Sequence, residues 1–404
     1  MTWNHLPPKL LHIELSTFCN AACPLCPRFY EGTDVVRPDL KLTQITLDKF
    51  KNYFPVDSIR QFTRILYCGT MGDPLMAKDC FDIFEYVHNL NPKCNQVVHT
   101  NGGTRNTEFW TKMGNLFKHN KMKLVFSIDG LEDTNHLYRR NVDWNTLTHN
   151  VKTFISAGGN ATWEFLVFRH NEHQIEQAKE LAYNMGFKSF LPKRAFGFDD
   201  PKNNSLMPRM VFDKNGIKQY KILPPTQEQH LMSGPGAEFK DRDYNIDVTE
   251  LNEAKILKYF PRLKNKVDQF DNATEAEELG IYEDTLNKKE IKCKSLSNNF
   301  SEIYVNAEGI LFPCCYVGTQ YDSGIDTFQV RQIKSKVKSN IKDLDLNLHD
   351  LNTIINSSIL EEIFAKSWNK ETIRHGKMAY CSEMCGSDST ALERLYIKPV
   401  TSVV

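Results

Sequence analysis

No apolar run in this sequence approaches the ~20 residues that a membrane-spanning helix needs. Neither sign of charge prevails: 50 Lys and Arg stand against 50 Asp and Glu, so no global field draws the chain to nucleic acid or to an anionic membrane. Neither partner is expected. The N-terminus, Met1-Thr-Trp-Asn-His-Leu-Pro-Pro, lacks a basic region followed by an apolar core, and no secretory signal is expected. Internal repeats and long low-complexity segments are absent. Evenly spread cysteines are missing as well. The 11 cysteines are odd in number and most cluster toward the two ends, which favours metal-binding thiolates in a reducing cytoplasm over a disulfide framework. With 41% hydrophobic and 25% charged residues, the composition is that of an ordinary soluble globular protein. Its 404 residues suffice for two domains, or for one barrel with an appended module.

The densest chemical signal lies near the start, in Leu11-His-Ile-Glu-Leu-Ser-Thr-Phe-Cys19-Asn-Ala-Ala-Cys23-Pro-Leu-Cys26. An apolar run that reads as a strand opens directly into cysteines spaced C-x3-C-x2-C. Three thiolates can hold three irons of a 4Fe–4S cube and leave the fourth iron open to a small chelating ligand. A zinc knuckle or a piece of a disulfide framework is the plainer alternative. Zinc wants a fourth ligand, however, and no His or Cys follows within roughly forty residues.

Further along, the apolar pattern alternates between two periods. Helical spacing covers 46–54, 81–90, 107–117, 144–157 and 173–185, and strand-like runs cover 64–67, 96–100, 123–128, 161–168 and 189–193. Such alternation predicts a parallel sheet with right-handed crossovers. Six β/α units fit between residues 9 and 195, too few for a closed eight-stranded barrel. From 197 to 290 prolines and a Ser-Gly-Pro-Gly run break the pattern, leaving a bridging segment with a few helices, such as one over 250–260. Residues 301–315 read as a β-hairpin around Asn306-Ala-Glu-Gly309, and 360–368 as a helix.

The cysteine stretch resembles the signature of the radical SAM enzymes, with Leu25 at the apolar position before the last cysteine. In that family the free iron binds S-adenosylmethionine, and an electron from the cluster releases a 5′-deoxyadenosyl radical. The resemblance implies a partial (β/α)6 TIM-like barrel of the α/β class, and the six units agree. It also implies an external electron donor such as flavodoxin or ferredoxin. Gly72-Asp73-Pro74, after the second strand, resembles the family's Gly-Gly-Glu-Pro, which contacts the methionyl amino group; here Met71 and Asp73 depart from that pattern, and the plain reading is a turn. Thr100-Asn101-Gly102 resembles the family's Thr-Asn-Gly, although an Asn-Gly turn would look the same. Ser127-Ile-Asp129-Gly130, with Arg139 ten residues after the Asp, resembles the family's Ser-x-Asp-Gly and carboxylate-gripping Arg. Arg140 competes for that role. Val167 stands where the family packs an aliphatic side chain on adenine, or is simply core.

Toward the other end, Cys293, Gly309, Cys314, Cys381 and Cys385 resemble the SPASM and twitch modules, in which such cysteines bind an auxiliary 4Fe–4S cluster. The count suffices for one extra cluster, which points to the shorter twitch type. Cys314 rather than its neighbour Cys315 is the expected ligand, and a structural four-cysteine zinc site is the alternative. Cys68, Cys80 and Cys94 read as small buried residues. On this reading the chain divides into a core barrel (1–196), a bridge (197–289) and a C-terminal β-hairpin/helix auxiliary-cluster domain (290–404).

The expected activity is hydrogen abstraction from a substrate C–H bond, with the auxiliary cluster as electron acceptor. Small molecules such as sugars, aminocyclitols or nucleotides are favoured, since nothing before residue 9 could serve to recognise a peptide. Peptide or protein modification is the runner-up, and a non-catalytic iron–sulfur protein is the reading from another class. His99, Arg169, His170, Lys193 and Arg194 fall at strand ends, where they suit a carboxylate or phosphate on the substrate, or else are solvated rim charges.

Overall fold

The computed structural model describes residues 3, 6–30, 32–200, 205–213, 215–231, 238–239, 286–296, 301–324 and 327–387. The helix expected over 250–260 lies outside these. In chain order, β1 (Pro8–Glu14) is followed by α1 (Leu47–Tyr53), α2 (Val56–Gln61), β2 (Arg64–Cys68), α3 (Cys80–Leu90), β3 (Asn95–Thr100), α4 (Thr107–Leu116) and β4 (Met122–Ser127). Then come α5 (Asn135–Tyr138), α6 (Trp144–Ser156), β5 (Ala161–Val167), α7 (Ile175–Met185), β6 (Ser189–Arg194), β7 (Arg209–Phe212) and β8 (Lys218–Ile222). The C-terminal part supplies β9 (Ser301–Val305), β10 (Leu311–Phe312), α8 (Cys315–Asp322), α9 (Phe328–Lys338), α10 (Leu351–Asn356) and α11 (Ala379–Cys385). Six strands, β1 to β6, alternate with helices in five crossovers, the α/β architecture of a partial (β/α)6 barrel, and a helical and hairpin region follows in the chain.

Local chemistry sets the element ends. Thr46, Asn106 and Asp143 each accept a backbone N–H of the first turn of α1, α4 and α6, and Gly186 closes α7 in the left-handed conformation. Among the described residues, no helix is long and apolar enough to cross a membrane.

The chain forms two compact units, one of Met1–Phe18, Pro38–Gln96 and Leu251–Thr390, the other of Cys19–Arg37, Val97–Glu250 and Ala391–Val404. In the first unit β1 pairs in parallel with β2 (Leu11↔Ile65, Ile13↔Tyr67), and on its other side with β9 (Leu11↔Ile303, Ile13↔Val305). β10 then folds back antiparallel on β9. The hairpin expected over 301–315 is thus shorter than the apolar pattern implies, and Cys315 already belongs to α8, with Cys314 as the extended residue before it. In the second unit β4, β5 and β6 are parallel (Leu124↔Ala161, Thr162↔Ser189), and Trp110, Phe126, Phe154, Trp163 and Phe187 form the aromatic core behind them.

Asp322, half-buried at the end of α8, carries a pH signature. Burial raises its carboxyl to about 7, against the hydrogen bond from Asn306 Nδ2 at 3.2 Å and with help from Glu14 and Glu308; Lys334 opposes. The folded chain therefore holds a proton that the unfolded chain, near 3.8, has released, and stability is lost as pH rises through that interval. Asp322→Asn is predicted to raise the thermal midpoint at about pH 8, to raise it less at about pH 5, and to leave it near wild type at about pH 3. A midpoint lowered or unmoved at the higher pH contradicts this.

Candidate functional site

Cys19, Cys23 and Cys26 occupy the loop after β1, in the second unit. The Cys26 N–H donates to the Cys23 carbonyl at 3.0 Å and the Phe29 N–H to the Cys26 carbonyl at 3.2 Å, so the loop turns tightly around its thiols. Ala22 N–H donates to the Arg140 carbonyl at 3.0 Å, which ties the loop to the residues after α5. Two polar side chains reach the sulfurs: Asn101 Nδ2 lies 3.6 Å from Cys19 Sγ, and Arg139 Nη1 lies 3.6 Å from Cys23 Sγ. Asn101 is itself fixed, donating to Asn20 Oδ1 at 2.9 Å and accepting from Gly103 N–H at 2.8 Å. Gly102 makes that turn with a φ of +72°, where an added Cβ would press on Leu147 and Phe126.

Electrostatics say what the thiols can hold. Burial raises the Cys23 thiol, against the pull of Arg139, and burial together with Cys23 pushes Cys26 up to about 12. Packed like this, the thiols stay protonated on their own, because each thiolate would be desolvated and would repel the next. A cationic iron–sulfur group reverses that cost, and three thiol donors at the turn, with an amide and a guanidinium directed at them, fit a cube that keeps one iron free of protein.

Arg139 follows α5 and is held by Asp129, whose Oδ2 accepts from its Nε at 2.5 Å; Asp129 is fully buried and the Arg139 side chain 16% exposed. Asp129 Oδ1 accepts from the Leu166 N–H at 2.6 Å, its N–H donates to Asn135 Oδ1, and its carbonyl accepts from Asn171 Nδ2. Burial raises the Asp129 carboxyl, Arg139 pulling the other way. Arg140 diverges from its neighbour, with Nη2 at 3.8 Å from Asp34. Of the remaining expected cofactor residues in this unit, Ser127 ends β4 half-buried, Val167 is fully buried at the end of β5, and Leu25 lies against Gly197.

The Gly72 turn and the C-terminal cysteines belong to the first unit. A Cβ at Gly72 would fall on the Ser16 carbonyl, so glycine is required there for close backbone approach. Asp73 is buried, its N–H donates to the Phe18 carbonyl at 2.8 Å, and its Oδ1 caps the 3-10 turn Pro74–Met76 by accepting from Leu75 N–H.

Cys293, Cys314, Cys381 and Cys385 lie near enough for their charges to act on one another. Cys293 and Cys385 share a thiol hydrogen bond, which with burial holds Cys293 up, and the charges of Cys314, Cys385 and Cys381 raise it further. The Lys292 N–H donates to the Cys385 carbonyl at 3.0 Å, clamping the Cys293 segment onto α11. Burial pushes Cys314 up to about 12. The field at Cys315 comes from Cys314 and Glu302 instead, after burial itself. Four thiols match a fully ligated iron–sulfur group or a structural zinc equally in number.

Sequence reasoning missed Glu164. It lies on β5 with Oε2 3.0 Å from Lys193 Nζ and 3.6 Å from His99 Nδ1. No motif marks it, but strand alternation does: Trp163, Phe165 and Val167 fill one face of β5, which leaves Thr162, Glu164 and Leu166 on the other. Arg169 and Arg194, expected as anion-binding groups, donate to the Pro224 and Gln229 carbonyls at 3.2 and 2.7 Å, and Phe239 lies under the Arg169 guanidinium. His170 stacks on Phe168, and burial lowers it to about 4.

No protein-family model and no curated protein matches the chain. Among solved structures it is similar to Streptococcus suis SuiB bound to S-adenosylmethionine, at 13% identity over 76% of this chain, with a TM-score of 0.43. The chain spans 60% of the length of that SuiB structure. It is also similar to anSMEcpe with bound AdoMet and Cp18Cys peptide (14% identity, 92% of this chain and 88% of that one, TM-score 0.47). BtrN in complex with AdoMet and 2-DOIA matches at 11% identity over 93% of this chain and 92% of that one, with a TM-score of 0.36.

The Asp129–Arg139 pair yields a direct test. Asp129→Ala strands a buried guanidinium, which costs about 3–5 kcal/mol, whereas Asp129→Asn keeps the acceptor for Leu166 and costs less. Urea denaturation should rank wild type above the Asn variant and the Asn variant above the Ala variant. Equal midpoints for all three would mean that the pair does not anchor this loop.

Proposed function

We propose that this chain is a radical SAM enzyme acting oxidatively on a small, hydroxyl-bearing molecule. The observation that supports the reading is the pair of polar side chains directed at the cysteine loop, Asn101 at the Cys19 sulfur and Arg139 at the Cys23 sulfur. Cys19, Cys23 and Cys26 would hold a 4Fe–4S cluster with one open iron, and Cys293, Cys314, Cys381 and Cys385 a second, fully ligated one. When bound, these groups and S-adenosylmethionine supply one-electron chemistry: a hydrogen-abstracting radical and an internal electron acceptor.

The chain's own residues do the rest. Asp129 presets Arg139, so that the guanidinium is oriented before a carboxylate arrives and less freedom is lost on binding. Leu25, Ser127 and Val167 would line the cofactor's apolar and ribose sides. His99, Glu164 and Lys193 form a neutralised donor–acceptor set on β3, β5 and β6. With Lys193 paired, and Arg169 and Arg194 committed to carbonyls, this set suits hydroxyl or amine groups better than phosphate, which favours a sugar or aminocyclitol. An external flavodoxin- or ferredoxin-type donor would supply the electron.

The test is chemical analysis joined to turnover. After anaerobic reconstitution the chain should carry about eight irons and eight sulfides, falling to about four of each in a Cys19/Cys23/Cys26→Ala variant. With a strong reductant, only the native protein should convert S-adenosylmethionine to 5′-deoxyadenosine. Intact clusters without that product would make the chain a non-catalytic iron–sulfur protein.

A further inference from the structure

One face of β1 and β9 bears donors that the proposed radical chemistry leaves unused. Leu11, Ile13, Ile303 and Val305 are fully buried, and strand alternation turns His12, Glu14, Glu302 and Tyr304 to the opposite face. The parallel register sets His12 beside Tyr304, one pleat from Glu302, and α8 brings its first residue, Cys315, onto the same place. One ligand atom each of His12, Glu302 and Cys315 lies within 4.8 Å of the other two. His12 Nδ1 and Glu302 Oε1 are 3.5 Å apart, with both side chains 23% exposed.

We propose that His12, Glu302 and Cys315 bind one zinc ion, with the fourth coordination position open to water or to an oxygen or nitrogen ligand. The separation is the first argument. At 3.5 Å the imidazole and carboxylate are too far apart for a good N–H···O bond, yet two ligand atoms on one tetrahedral zinc stand about 3.3–3.6 Å apart. Donor type is the second. One nitrogen, one oxygen and one sulfur exclude the hard cations, which take oxygen shells, and suit zinc, which accepts all three. A neutral imidazole, a carboxylate and a thiolate also balance its two charges.

The neighbours on this face are committed elsewhere. Glu14 accepts the Thr70 and Met71 N–H groups at 3.0 and 3.4 Å, and Cys68 Sγ is 3.4 Å from the Ile13 carbonyl. Cys315, unlike Cys314, has its sulfur within 4.8 Å of ligand atoms of both His12 and Glu302 in this group.

The experiment uses the full chain, anaerobically reconstituted with iron and sulfide, equilibrated with zinc and desalted. Native protein should retain one zinc per chain beyond its iron. His12→Ala and Glu302→Gln should each retain at least tenfold less zinc at the same free zinc, with iron unchanged. Zinc-edge X-ray absorption on the native protein, which does not depend on how the variants fold, should give one sulfur with nitrogen and oxygen neighbours. An all-sulfur shell would place the zinc among the four C-terminal cysteines and overturn the proposal. So would zinc retention unaffected by either substitution, or loss of cluster iron in Cys315→Ser. The iron count and 5′-deoxyadenosine formation are read separately, so failure of the zinc site and failure of the radical chemistry are told apart.

Discussion

In the second unit, everything near the first cysteines hangs on the buried ion pair between Asp129 and Arg139. A carboxylate with no exposed surface survives only if each of its oxygens has a partner, and Asp129 has them: Arg139 on one oxygen, the Leu166 N–H on the other. Through those bonds and its backbone, one residue joins β4, the end of β5, α5 and the Asn171 turn. Arg139 is thereby denied any other conformation and delivers its remaining nitrogen to Cys23. A lysine could not do this, because a point charge cannot face a carboxylate and a sulfur through two fixed donors.

Two groups of thiols pose the same electrostatic problem, and the chain treats them differently. The first group sits in a loop flanked by Arg139 and Asn101, side chains that oppose the crowding of charge. The C-terminal group has a shared hydrogen bond between Cys293 and Cys385 and is clamped by backbone contacts. A loop with an oriented cation suits an exchangeable ligand, whereas a clamped set of four suits a resident that does not leave.

Much of this was legible in the sequence because it is written in local period and local spacing. The strand and helix bounds from β2 to β6 follow the apolar alternation to within two or three residues, since each element buries one face and is capped by its own polar end. The C-x3-C-x2-C loop, the Asn101 turn and the Asp129–Arg139 spacing are likewise contiguous. What escaped is non-local. Nothing in residues 301–305 says that β9 pairs in parallel with β1, three hundred residues earlier. Glu164 meets His99 and Lys193 only because parallel register aligns separate strands, and Cys68, read as an inert buried residue, lies near Glu14 through the same register. The committed state of Arg169 and Arg194 was invisible because their partners are carbonyls, which every residue carries.

Cys314 and Cys315 are consecutive, one extended and one helical. Chain length between the Gly309 turn and α8 is then a gauge. One residue deleted from 310–313 would draw Cys315 toward the place of Cys314, and one inserted would push Cys314 out of it. Insertions and deletions should therefore be tolerated on the turn side of Gly309 or beyond Asp322, and not in the short segment between them.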